Sequence, residues 1–150
     1  MKIFSHVAVL ACGLLVSLGC AKGSQVEAIA EIPSHELTLT VTLTGTYYFL
    51  AEYDRKLVVR GNQGCHREVS LFPDTGGYGL LHLYIGPGHQ LFLRGYFDAY
   101  RFYEYCGVEK IETSSLPKNF EYVGAFDEDD KAGWVFLPKA SRPFKPFKDI

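Results

Sequence analysis

The 150-residue sequence has a single methionine, a single tryptophan and only four cysteines. It lacks a G-x-S-x-G nucleophile elbow, an H-E-x-x-H zinc motif and any C-x-x-C pair. Those absences remove the usual sequence marks of a serine hydrolase, a zinc protease and a thiol redox site. Charges of both signs are mixed along the chain, and the net charge is −2. A nucleic-acid-binding domain would need a basic footprint, and a polybasic lipid-binding segment would need clustered Lys and Arg. Neither is present. No internal repeat is visible, and no strand pattern alternates with long helical patterns, which excludes a parallel α/β sheet. The reading is therefore of a non-enzyme with no cofactor and no metal.

What is present begins with residues 1–20. Lys2 is followed by an apolar stretch without further charge, closing on Val16-Ser17-Leu18-Gly19-Cys20. A basic start, an apolar middle and a small residue before the cut make a secretory signal. The run is too short and too interrupted for a spanning helix, which takes ~20 apolar residues. The closing pentapeptide resembles the lipobox of bacterial lipoproteins. The resemblance covers these 20 residues and is silent on the fold that follows. It implies cleavage before Cys20, acylation of the Cys20 thiol and amino group, and, with Ala21 rather than Asp next, an outer-membrane destination. Ordinary signal cleavage and soluble secretion is the alternative. Two or more acyl chains hold a protein to a bilayer stably, at ~0.8 kcal/mol per buried CH2.

The remainder, about 130 residues, suits one domain with a real core. Cys12 leaves with the signal and Cys20 carries lipid, so Cys65 and Cys106 remain. In an exported protein two leftover cysteines read as one disulfide. It closes a loop of about 40 residues, for which chain entropy gives ~4 kcal/mol at most.

Ten Tyr and eleven Phe favour strands. Residues 20–34 read as the lipidated Cys and a tether, and residues 35–140 as the folded domain. Within residues 36–44, Leu37, Leu39, Val41 and Leu43 alternate with Thr38, Thr40, Thr42 and Thr44. That period of two marks a half-buried strand, its Thr side facing water or a polar neighbour. Further strands are expected over 46–53, 57–60, 65–72, 78–85, 90–94, 96–106, 108–112, 120–126 and 134–137. Asp54-Arg55-Lys56, Gly61-Asn62-Gln63-Gly64, residues 73–77, 86–89 and 127–133 read as turns. The fold class is all-β: an antiparallel sandwich or small barrel of about 7–9 short strands with one disulfide. Residues 141–150 form an extended arm. Its basic-Pro-Phe period of three fits polyproline II, with Phe144 and Phe147 on one side. Those two rings serve either to staple the arm to its own domain or to meet a partner.

Candidate functional residues are few. His82 and His89 flank a hairpin, but two ligands make no metal site. Asp127-Glu128-Asp129-Asp130 is contiguous rather than alternating as a calcium loop requires. The richest stretch is 96–105, where six of ten residues are Tyr or Phe. Tyr and Arg give large contact area with few rotors, so Tyr96, Tyr100, Arg101, Tyr103 and Tyr105 are the candidate binding residues. Cross-strand aromatic pairing within the sheet is the competing explanation. Small one-domain lipoproteins with one disulfide and no catalytic set are similar, as a class, to immunity proteins that neutralise periplasm-acting toxins. That resemblance implies a periplasmic protein partner and attachment to the membrane through lipid, with no nucleic acid. The alternatives are a structural or assembly component of an envelope or secretion complex, and a small-ligand or glycan binder using its aromatic rings.

Overall fold

The computed structural model describes residues 23–46, 52–76 and 79–147. The signal segment, Cys20 and most of the expected strand at 46–53 lie outside them. Within them ten strands form two antiparallel sheets. The first sheet runs in the order β1 (Gln25–Ile32), β2 (Leu37–Gly45), β3 (Tyr53–Gly61), β4 (His66–Ser70). The second contains β5 (Leu81–Ile85), β6 (Leu91–Arg94), β7 (Ala99–Tyr103), β8 (Gly107–Ile111), β9 (Glu121–Asp129) and β10 (Gly133–Pro138). Its order is β10-β9-β5-β6-β7-β8.

The sheets face each other as a sandwich. Leu39, Val41, Leu57 and Val59 from the first meet Leu81, Leu83, Leu91, Leu93 and Phe126 from the second, all fully buried. Packing of this kind costs roughly 2–5 kcal/mol per Leu-to-Ala truncation. The alternation read in β2 is the observed one, with its Leu and Val side inward. Its Thr side is covered more than expected. Thr40 and Thr42 are buried between the side chains of β1 and β3, and Thr42 Oγ1 donates to Glu27 Oε1 at 3.3 Å.

Four boundaries differ from the sequence reading, each for a physical reason. Residues 25–32, expected in the tether, are an edge strand that pairs with β2 from Gln25↔Thr44 to Ile32↔Leu37. Ala28, Ala30 and Ile32 point inward, but alanines give a weak apolar signal. Asp54-Arg55-Lys56 lies inside β3 rather than in a turn. The Arg55 charge that suggested solvent is neutralised by Asp98. The strand expected over 96–106 is only β7. Tyr96, Phe97 and Asp98 belong to the turn before it and Glu104, Tyr105 and Cys106 to the turn after. Finally, β9 runs on through Asp127, Glu128 and Asp129, because Asp127 pairs with Arg142.

Two segments cover the outer face of the second sheet. Residues 112–120 cross it, bringing Leu116 against a small cluster of Tyr84, Phe92 and Tyr122. Residues 139–147 return over the β5–β9 side. Phe144 lies 5.4 Å from the Tyr122 ring and Phe147 4.4 Å from His82. The arm is thus stapled to its own domain by both phenylalanines.

Strict antiparallel pairing sorts the turns to two ends. The β1–β2, β3–β4, β5–β6 and β7–β8 turns share one end, called distal here. The start of β1 and the β4–β5, β6–β7 and β9–β10 connections share the other, the proximal end. The ends are tied across the sandwich. The Cys65–Cys106 disulfide, with Cα atoms 6.0 Å apart, joins the sheets distally. The Arg55–Asp98 pair joins them proximally, with Nη2 to Oδ1 at 3.0 Å.

Candidate partner-binding surface

The distal end is built from tight turns in an uncommon conformation. Glu36, His89, Tyr105 and Cys106 all have φ between 52° and 60°, a left-handed region that non-glycine residues rarely enter. Such strain persists only where the surroundings over-determine it. Here they do. The Glu36 carbonyl accepts from Asn62 N–H at 3.2 Å, which ties the β1–β2 turn to the β3–β4 turn. His35 Nε2 bonds the His89 carbonyl, tying in the β5–β6 turn. In the β7–β8 turn the Gly107 N–H closes on the Glu104 carbonyl at 3.2 Å, and Cys106 is held by Cys65.

That last turn lifts Tyr105 clear of the molecule. The residue is 89% exposed. Tyr103, 54% exposed, lays its ring over Gly107, its cross-strand partner, where any side chain would collide with it. Beside Tyr105 a depression of about 400 Å³ is lined by His35, Glu36, Leu37, Asn62, Gln63 and Cys65. The arrangement is a rigid, convex aromatic tip next to a hollow of mixed polar and apolar lining. It offers recognition chemistry.

The five residues singled out from sequence are not one patch. Tyr103 and Tyr105 share the distal end. Arg101 lies mid-strand on the outer face, paired with Glu109 of β8. Tyr96 is at the proximal end, its ring 5.8 Å from Phe147. Tyr100 is in the core, and its hydroxyl accepts the Phe72 N–H at 2.7 Å. Burial, and then the Asp98 carboxylate nearby, push its phenol well above the ordinary tyrosine range. The distal residues missed from sequence are His35, Glu36, Asn62 and Gln63. Asn62 and Gln63 lie in the turn expected at 61–64, whereas the turn at 33–36 was not read, and nothing in the sequence says that the two meet.

The histidines and acidic residues part ways too. His89 is in a distal turn, whereas His82 is fully buried on β5 beneath the C-terminal arm. His82 Nδ1 and Tyr84 Oη are 2.8 Å apart. Tyr122 and the rings of Phe144 and Phe147 enclose the rest. Burial, then the charges of Arg142 and Arg94, lower its pKa to about 4. Asp129 uses its carboxylate on the Lys131 and Ala132 N–H groups, which hold it below the usual carboxylate range. Among the described residues no cluster of His, Cys, Asp or Glu is arranged to hold a metal ion.

The buried His82 makes a pH prediction. Its folded pKa is depressed, so the unfolded chain binds the extra proton between about pH 6.5 and about pH 4. Stability is therefore full above pH 6.5 and falls as pH drops through this window, by ~3 kcal/mol. Urea midpoints measured across the range should show that slope, and His82→Phe should flatten it. An unchanged slope in the variant would place the titration elsewhere.

No protein family, curated protein sequence or solved structure matches this chain, so its surfaces are read from their own geometry.

Proposed function

We propose that this chain is a lipid-anchored envelope protein whose distal end binds another protein. The anchor is Cys20, the site is the periplasmic face of an outer membrane, and the class of function is neutralisation of a periplasm-acting effector. One observation carries the binding reading. An almost fully exposed tyrosine sits on a turn with two left-handed residues, the second clamped by a disulfide. A tip held this rigidly loses little entropy when it docks, and tyrosines dominate the energetics of many interfaces. A convex tip also suits the concave site of a hydrolase.

The test is direct. The lipoprotein, mixed with an envelope-directed hydrolase encoded beside its gene, should form a one-to-one complex and stop hydrolysis. Tyr105→Ala should weaken that complex by roughly 30-fold or more, the scale of a hot-spot residue, without lowering the melting temperature. Full affinity in the variant would remove the distal end from the interface. A chain that co-purifies only with a large envelope assembly would favour the structural reading instead.

A small-ligand reading has one observation in its favour. A cavity of about 420 Å³ opens at the proximal end beside Trp134, with Leu43, Tyr53 and Leu80 on its walls and Asp127 and Glu128 at its rim. Glycan fragments that change Trp134 emission would support it, and a flat titration would count against it.

A further inference from the structure

We infer that the proximal rim carrying Phe72, Tyr96, Phe97 and Lys110 rests on a lipid surface. The inference depends on the reading of Cys20 as the acylated residue. Phe97 is 59% exposed and Phe72 is also exposed, although both are large apolar side chains. They form one cluster: Phe72 to Phe97 is 6.5 Å and Tyr96 to Phe97 is 4.6 Å between ring centroids. Lys110 Nζ sits 4.9 Å over the Phe72 ring. Aromatic rings with an adjacent cation are the side chains that settle at the boundary between acyl chains and headgroups.

The rim is held in shape from beneath. The Phe72 N–H donates to Tyr100 Oη and its carbonyl accepts from Arg55 Nε, each at 2.7 Å. Asp98 pairs with Arg55 and its carbonyl accepts the Gly95 N–H at 2.8 Å, closing the turn that carries Phe97. Four buried or half-buried polar groups thus fix the backbone under two exposed phenylalanines.

The length of the anchor says what lies opposite. β1 begins at Gln25, so residues 21–24 alone separate the lipidated Cys20 from the sheet. Four extended residues reach at most ~14 Å. Because β1 starts at the proximal end, a bilayer holding Cys20 must lie within that distance of the start of β1, at the same end of the sandwich as this rim. The distal tip is then turned away from the membrane. The acidic Asp129 and Asp130 of the β9–β10 turn occupy the opposite side of the same end, where β1 also starts. Seating the phenylalanines and Lys110 on the bilayer requires the molecule to tilt onto its β4–β8 side, which lifts the carboxylates.

The experiment uses the full lipidated chain with Phe97→Trp, and separately Phe72→Trp, in vesicles of phosphatidylethanolamine and phosphatidylglycerol. Half the vesicles carry brominated acyl chains. The introduced tryptophan should lose most of its emission in brominated vesicles, while Tyr105→Trp at the distal end keeps its own. The unsubstituted chain, with Trp134 in the core, supplies the baseline. Vesicle-bound protein with unquenched Trp at both 97 and 72 overturns the inference, as does equal quenching at 97 and 105. Shielding of position 97 that requires an added protein, with no effect of bromination, overturns it in favour of a protein-docking rim. Intact mass separates the premise: an unacylated Cys20 overturns the anchor and the inference together.

Discussion

Asp98→Ala is expected to lower the unfolding free energy by roughly 3–5 kcal/mol, the cost of leaving a buried charge without its partner. Both members of the pair are almost fully buried, Arg55 at 3% and Asp98 at 0% side-chain exposure. The aspartate is the charge that balances the Arg55 guanidinium, whose Nε donates to the Phe72 carbonyl. Without Asp98 the cation stays in the interior with backbone oxygen alone. The pair is not thereby a large net source of stability. Desolvating two ions offsets most of their attraction, so an apolar replacement of both is expected to be near neutral. The double variant Arg55→Met with Asp98→Leu should therefore recover most of the loss. Urea unfolding of the two single variants and the double one gives the coupling directly. Single variants that each lose less than about 1 kcal/mol would show that solvent reaches the pair.

Cys65→Ser should cost nearly as much, up to ~4 kcal/mol for a closed loop of about 40 residues. The bond ties the β3–β4 turn of one sheet to the β7–β8 turn of the other, so its loss removes the covalent tie between the two sheets at the distal end. The unfolded chain gains freedom, and the native turn loses the clamp that holds Cys106 at positive φ. Melting followed with and without reductant measures the effect. Equal melting temperatures would mean that the bond adds nothing to folding. Because this tie and the Arg55–Asp98 pair sit at opposite ends, their costs should add.

Part of this protein was legible before any coordinates. The Leu/Val and Thr alternation of β2 is a local property, since a period of two fits only a pleated strand. The turns at 61–64 and 86–89 were legible because Gly and Asn tolerate positive φ and Pro fixes its own. The pairing of Cys65 with Cys106 came from counting thiols on the expectation of export. What failed was also local in origin. Alanines in β1 carry too little apolar signal to distinguish an edge strand from a tether. A charged triplet in β3 reads as a turn unless the counter-ion, 43 residues further on, is known.

The residues themselves therefore determined that the chain is all-β, aromatic-rich and crosslinked once. Those properties depend on periodicity, composition and cysteine number, which need no knowledge of neighbours in space. Only the tertiary structure decided that Tyr100 is interior while Tyr105 protrudes, and that Phe72 joins Phe97. It also decided that the start of β1 and the Tyr105 tip lie at opposite ends. Which end of a strand a side chain occupies, and what stands across from it, is set by sheet pairing between segments far apart in the chain, and no single segment encodes that.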